Sequence, residues 1–109
     1  MNIVKIPITS KQELVKSYIQ QFKNGGLFIK GNFNYDLGAE VFLIITLPET
    51  NENVAVNATV NWLSPETAVG YPVGIGVQFN NDKAGIEARS KIEIMLGGLL
   101  QNQQLSYTF

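Results

Sequence analysis

The stretch VAVNATVNW, residues 54–62, shows the clearest secondary-structure pattern of the chain. Valine, alanine or tryptophan stands at every second position, which is the period of a β-strand with one buried face. Four further segments also predict strands: residues 3–8, 27–29, 40–47 and 73–79. Residues 40–47 are so rich in β-branched and aromatic side chains that we expect burial on both faces of that strand. Pro7 confines the first strand to a sheet edge, because proline donates no backbone hydrogen bond.

A first helix is predicted to begin after Ser10, because Ser10 and Glu13 have the spacing of a capping box. Apolar residues at helical spacing then form one stripe: Leu14, Val15, Tyr18, Ile19 and Phe22. The Asn-Gly-Gly sequence at residues 24–26 is predicted to end this helix. A second helix is predicted over residues 82–96, with an apolar stripe of its own: Ile86, Ile92, Leu96 and Leu99. Gly74 and Gly76 share one face of the last strand, and this helix is the expected neighbour against them.

Length and composition predict one domain over residues 1–109, with a flexible tail at residues 101–109. The chain has 109 residues, of which 45% are hydrophobic, enough for a single core. Five short strands, with helices only near the two ends, favour a small antiparallel barrel or sandwich. Trp62 shares the alternation of residues 54–62 and is therefore expected in the core or at the barrel mouth.

Charge and residue usage exclude several classes of function. Eight Lys or Arg against nine Asp or Glu give a net charge of −1, so no basic field favours a nucleic-acid partner. The sequence contains no histidine and no cysteine, which removes the commonest general base, thiolate nucleophiles and nearly all zinc sites. We expect no enzyme activity, no metal and no cofactor.

The apolar segments are short and do not favour the membrane. Residues 1–7 lack the pattern of a secretory signal, and no apolar run approaches the ~20 residues that span a bilayer. We therefore expect a cytoplasmic protein without membrane insertion.

Five segments together resemble the PilZ domain family, in particular its stand-alone members that serve type IV pilus assembly. The resemblance lies in residues 24–29, 37–43, 60–65, 74–79 and 89–93, which occur in the family's order. It implies a six-stranded antiparallel β-barrel with an N-terminal and a C-terminal helix. The sixth strand is implied by the resemblance alone, since no segment shows a pattern for it.

PilZ domains are best known as receptors for cyclic di-GMP, and this sequence departs from the family's two nucleotide-binding motifs. The first is an N-terminal Arg-x-x-x-Arg, whose guanidinium groups pair with phosphate and guanine. The chain has a single arginine, Arg89, in the predicted second helix. The second is Asp or Asn, x, Ser, x, x, Gly. If Gly26 is its glycine, Gln21 and Lys23 occupy the acidic and serine positions; if Gly25, Gln20 and Phe22 do.

The cations that remain near the N-terminal half are flexible lysines without a planar fork: Lys5, Lys11, Lys16, Lys23 and Lys30. Tight binding of cyclic di-GMP is therefore not expected. The resemblance then implies an adaptor that binds the pilus-extension motor ATPase and, in some bacteria, a degenerate GGDEF/EAL protein. A non-standard receptor for cyclic di-GMP is the alternative hypothesis.

Apolar residues outside the strands supply the candidates for partner contact: Leu14, Tyr18, Phe22, Phe33 and Tyr35. Those on the first helix either pack on the domain's own core or form a docking face. Tyr18 and Phe22 are the better candidates there, because aromatic side chains are enriched at interface hot spots. Phe33 and Tyr35 lie in a polar turn, where they form either the lid of the barrel or an exposed anchor.

Overall fold

The computed structural model describes residues 2–64 and 73–100. The elements follow in the order β1 (Asn2–Pro7), α1 (Lys11–Ser17), β2 (Gly26–Lys30), β3 (Glu40–Thr46), β4 (Asn53–Leu63), β5 (Gly74–Phe79) and α2 (Lys83–Leu96), with a 3-10 turn at Gly97–Leu100. Each of the five predicted strands and the predicted second helix are confirmed to within one residue at each end. The predicted tail at residues 101–109 lies outside the described residues.

The strands form one sheet in the order β1-β3-β4-β5-β2. Residues of both edge strands line one cleft, among them Ile6 of β1 and Ile29 of β2, so the sheet curls into a half-barrel. The prediction of an all-antiparallel sheet is wrong at one place, because β1 pairs with β3 in parallel. The predicted sixth strand and closed barrel are not found within the described ranges. Pro7 ends an edge strand, as predicted.

The concave face of the sheet holds the main hydrophobic core, and both helices cover it. Leu14 of α1 and three residues of α2 belong to this core: Ala88, Ile92 and Leu96. The predicted stripe of α2 is wrong at Ile86, which is 62% exposed, and at Leu99, which is 37% exposed. The buried face instead begins at Gly85 and follows the spacing of Ala88, Ile92 and Leu96, because only that spacing keeps the side chains on one side of the helix.

The prediction that β3 is buried on both faces is also wrong. Val41, Leu43 and Ile45 point into the core and are almost fully buried. Phe42 and Ile44 alternate with them and remain half-buried on the convex face. The reason is that both helices pack on the concave side.

Helix α1 ends at Ser17, well before the Asn-Gly-Gly at residues 24–26 that was predicted to end it. Its C-cap is Tyr18, whose backbone is extended at φ −73° and ψ 127°. Tyr18 then forms a β-bridge with Leu27, and the Ile19 N–H donates to the Gly26 carbonyl at 2.9 Å. Gly25, at φ +73°, adopts the left-handed conformation that lets the chain return on itself. Gly25 therefore forms the turn of a short hairpin and does not cap a helix. We call residues 18–27 the hairpin segment.

A β-bulge moves Trp62 away from the core, contrary to the prediction. The register of β4 against β5 shifts between Val60 and Trp62. Val60 lies opposite the core residue Val77, whereas Trp62 lies opposite Gly76. One inserted residue reverses the side-chain alternation, so Trp62 is half-buried on the convex face.

Gly76 is covered by aromatic and aliphatic side chains and not, as expected from the sequence, by α2. A β-carbon at Gly76 would lie 2.9 Å from the Trp62 Cβ and 3.2 Å from the Ile19 Cδ1. At Gly74 the added atom would overlap the backbone carbonyl of Ile29 and would meet the Phe28 ring at 2.6 Å. Gly76 thus lets the hairpin segment and Trp62 approach the sheet.

Replacing Gly76 with alanine is therefore expected to destabilise the fold by about 1–3 kcal/mol, because the new methyl overpacks this contact. Gly98→Ala is the matched control, since a β-carbon there meets nothing within 4 Å. Thermal unfolding of both variants measures the difference. Equal melting temperatures for the two variants would contradict the placement of Trp62 over Gly76.

Candidate protein-interaction surface

Two aromatic side chains in the loop between β2 and β3 lie together at one end of the sheet. The rings of Phe33 and Tyr35 stack, with centroids 5.7 Å apart and planes inclined by 17°. A β-carbon at Gly31 would stand 3.0 Å from the Phe33 ring, so this ring lies close to the loop backbone. Both side chains pack partly against the core and keep part of their surface exposed.

The stacked rings border a cavity of about 320 Å³ that is also lined by Leu63 and Val73. Leu63 is 39% exposed and Val73 is 57% exposed. We call Phe33, Tyr35, Leu63 and Val73 the loop patch. Large apolar side chains that are exposed side by side, and not singly, are typical of an interaction surface. The loop patch is the first candidate interface.

A second group of rings lies on the convex face of the sheet. Trp62 and Phe28 meet edge to face, with centroids 5.8 Å apart and an interplanar angle of 66°. Phe22 joins them above Gly76, where an added β-carbon would meet its ring at 3.5 Å. We call Phe22, Phe28 and Trp62 the outer aromatic cluster. Phe28 is buried, whereas Phe22 and Trp62 are half-buried and keep exposed ring surface.

The five residues singled out from the sequence therefore lie in three places. Phe33 and Tyr35 come together in the loop patch, and Phe22 belongs to the outer aromatic cluster. Leu14 and Tyr18 are buried in the core, with 0% and 1% of their surface exposed. Partner contact by Leu14 and Tyr18 stays a prediction. The exposed surface for such contact is on the other three residues.

Tyr18 also connects the hairpin segment to α2 through a partly buried polar contact. Its hydroxyl donates to the Glu93 Oε2 at 2.6 Å. The Arg89 Nε donates to the same oxygen at 3.2 Å, and another Arg89 nitrogen donates to the Lys23 carbonyl at 3.1 Å. Burial, reinforced by the hydrogen bond to the Glu93 carboxylate, raises the pKa of Tyr18 above its usual value.

Replacing Tyr18 with phenylalanine should lower the free energy of unfolding by about 1–2 kcal/mol at neutral pH, because the hydrogen bond to a carboxylate is lost. Since the folded state raises the pKa of Tyr18, the folded chain keeps a proton that the unfolded chain loses near pH 10. The contribution of Tyr18 is complete below about pH 10 and falls as the pH rises toward the folded-state pKa.

Melting temperatures measured across that alkaline range test this expectation. The decline with pH should be shallower for Tyr18→Phe than for the unmodified chain. Tyr35→Phe controls for the removal of a hydroxyl elsewhere. If Tyr18→Phe declines as steeply as the unmodified chain, the hydrogen bond does not carry this pH dependence.

In the two registers considered for the second nucleotide-binding motif, its acidic and serine positions hold Gln21 and Lys23, or Gln20 and Phe22. Gln20, Gln21 and Lys23 are exposed in the turn before β2, and Phe22 is half-buried there. Arg89, the single arginine, is engaged by Glu93 and by the Lys23 carbonyl. Its guanidinium therefore links α2 to the hairpin segment.

Sequence reasoning missed Trp62 as a surface residue and the Tyr18–Glu93 contact. Trp62 could have been found only from the bulge, which the regular alternation over residues 54–62 does not indicate. The i, i+4 spacing of Arg89 and Glu93 on a helix does predict an ion pair, but nothing in the sequence relates Tyr18 to a residue 75 positions away.

A half-barrel sheet with a filled interior, covered on its concave side by two helices, defines a small β-rich domain. No cluster of potential metal ligands occurs within residues 2–64 and 73–100. No helix in the described part of the chain is long and apolar enough to cross a membrane.

Residues 3–96 match the family described as PilZ domain. The chain therefore belongs to the PilZ domain family. A comparison with curated proteins gives no significant match. Membership indicates a regulatory or adaptor role related to cyclic di-GMP signalling, because PilZ domains are in general non-catalytic binding or adaptor domains.

Proposed function

We propose that this protein is a non-catalytic, cytoplasmic adaptor of type IV pilus assembly. It contacts the pilus-extension motor ATPase and, in some bacteria, a degenerate GGDEF/EAL regulator, and it does not itself bind cyclic di-GMP. The observation that carries the proposal is a PilZ-family sheet whose second nucleotide-binding motif is not matched in either register, neither with Gln21 and Lys23 nor with Gln20 and Phe22 at its acidic and serine positions. The function of such a domain must then lie in its other surfaces.

The electrostatics of the motif region support the absence of nucleotide binding. Cyclic di-GMP carries two phosphate charges, and specific receptors neutralise them with arginine forks. Arg89 would have to abandon Glu93 and the Lys23 carbonyl to serve in this way. Lys23 alone supplies a flexible point charge without planar geometry.

The loop patch and the outer aromatic cluster support protein contact. Interface hot spots are enriched in tyrosine and tryptophan, which combine a large apolar area with a polar tip. Tyr35 and Trp62 both have this character and both are partly exposed. Each lies beside a second aromatic ring, Phe33 and Phe28 respectively.

Binding of the purified chain to the pilus-extension ATPase encoded in the same genome tests the proposal. We expect a stoichiometric complex and loss of surface pili when the gene is deleted. No complex with the purified motor, together with normal piliation after deletion, would reject the adaptor role. Heat from micromolar cyclic di-GMP in calorimetry would favour the alternative, a non-standard receptor.

A further inference from the structure

Strand β1 presents an open edge with backbone groups directed away from the sheet. The strand pairs with β3 on one side, and no second strand lies beside it in the described ranges. The Ile8 N–H donates to the Thr46 carbonyl at 3.0 Å. Because successive residues of a strand direct their N–H and C=O groups to opposite sides, Ile3 and Lys5 direct theirs toward the open edge.

Pro7 limits how far this edge can pair. It follows Lys5 by two residues, so its nitrogen also faces the open side and carries no hydrogen. A strand that adds here can pair with Ile3 and Lys5 and must end near Pro7. The pairing site is therefore short.

The convex face along the β1 edge carries an apolar side chain at Ile3 and a positive charge at Lys5. Ile3, which is 59% exposed, lies beside Phe42, and Lys5 lies beside Ile44. Phe42 and Ile44 are half-buried and do not belong to the core cluster. An added strand would thus extend an existing apolar row at Ile3 and meet a cation at Lys5.

Lys5 has no ion pair with any residue of the part that the structure describes. A depression of about 410 Å³ beside it is lined by Lys5, Pro7, Ile44, Thr46 and Asn53. That lining holds no carboxylate. The other cleft that Lys5 borders is also lined by Glu13, whose carboxylate accepts hydrogen bonds from Thr9. Cross-strand pairs of opposite charge stabilise a sheet, whereas like charges directly opposite each other destabilise it.

We propose that the β1 edge binds an extended segment of another protein by strand addition. The segment places an acidic side chain opposite Lys5 and an aliphatic side chain, two residues away, opposite Ile3. Main-chain hydrogen bonds to Ile3 and Lys5 give affinity, and the two side-chain rows give specificity. This site is separate from the loop patch and does not depend on the identity of the motor partner.

A second copy of this chain fits the edge less well. Residues 2–7 contain no acidic side chain, so a β1–β1 pair can place only an uncharged residue or another lysine opposite Lys5. The desolvated lysine would then remain without a counter-charge. The charge pattern thus favours a different protein as the occupant.

Two synthetic peptides that differ in one residue test the proposal. Acetyl-Thr-Val-Thr-Glu-Thr-Val-Thr-amide carries the acidic pattern, and its counterpart has Lys in place of Glu. Each is titrated, up to millimolar concentration, into the isotope-labelled chain while backbone amide signals are followed by NMR. We expect the amides of Ile3 and Lys5 to shift with the acidic peptide, which should bind about five-fold more tightly at low salt.

Charge reversal supplies the sharper arm of the experiment. Lys5→Glu should reverse the preference and bind the lysine peptide more tightly, whereas Lys16→Glu, on the exposed side of α1, should keep the original preference. Dispersed amide spectra of both variants establish that they fold. Unchanged Ile3 and Lys5 amides at millimolar peptide, or equal affinity for the two peptides, would overturn the proposal. Sedimentation that shows self-association abolished by Lys5→Glu would also overturn it, in favour of a second copy.

Discussion

Replacing Leu43 with alanine is expected to lower the free energy of unfolding by about 2–5 kcal/mol. Leu43 is 0% exposed and lies in β3 between Val4 of β1 and Val56 of β4. Its removal leaves a cavity between three strands that the sheet cannot close, because its neighbours are held by the backbone ladder. For a domain of this size the melting temperature should fall by about 8–20 °C, measured by calorimetry or circular dichroism.

Ile44→Ala is the matched control, because Ile44 is the next residue of the same strand and faces the convex side. It is half-buried and outside the core cluster. We expect it to cost about 1 kcal/mol, within the range of partly exposed sites. Equal losses for Leu43→Ala and Ile44→Ala would contradict the one-sided core of β3 and restore the expectation of two buried faces.

The double variant Phe33→Ala/Tyr35→Ala is expected to weaken binding to the pilus-extension ATPase by about ten-fold or more. The two rings stack at 5.7 Å, so they present one rigid apolar surface beside the loop cavity. Removing both rings removes the anchor that we assign to the loop patch. Surface plasmon resonance or calorimetry with the purified motor measures the change in Kd.

Loss of stability must be separated from loss of contact, since both rings also pack partly on the core. Met95→Ala serves as the control, because Met95 also packs partly on the core but lies in α2, outside the loop patch and the β1 edge. It should retain the affinity of the unmodified chain. If the double variant binds the motor as the unmodified chain does, the loop patch is not the motor-binding surface.

The strands could be predicted from the sequence because their signal is local. Alternation over residues 54–62 and the β-branched run at residues 40–47 report directly on burial and backbone preference. The bounds of the second helix were likewise predicted, but only Ile92 and Leu96 of its predicted apolar stripe are buried. What could not be predicted depends on contacts between distant segments. The parallel pairing of β1 with β3 is one such feature, because the alternation of apolar side chains is the same in parallel and antiparallel strands.

Two errors have one physical origin, which is that a tertiary contact overrode a local pattern. Helical spacing from Leu14 to Phe22 predicted a longer helix, but Tyr18 bridges Leu27 and the chain returns through Gly25. Alternation placed Trp62 in the core, but a bulge turned it toward Gly76. In both cases a glycine, Gly25 or Gly76, indicates that two segments approach each other closely. The sequence does not show which segment is the neighbour.

The candidate surface was predicted only in part for the same reason. Phe33 and Tyr35 could be selected from the sequence because two aromatic residues in a polar turn are unusual, and the structure places them in contact. The role of Leu63 and Val73 beside them depends on how β4 and β5 end, which periodicity does not specify. The departure from the family's nucleotide-binding motifs could be read from the sequence residue by residue, since motifs are local by nature.

Calorimetric titration of cyclic di-GMP into the purified chain tests the central claim most directly. Neither Gln21 and Lys23 nor Gln20 and Phe22 match the acidic and serine positions of the second motif, and the single arginine, Arg89, is engaged by Glu93. We predict no detectable heat even at hundreds of micromolar nucleotide, while the same preparation binds the motor ATPase. Saturable binding at micromolar nucleotide would contradict the account, because it would mean that this sheet still holds the second messenger without the family's arginines.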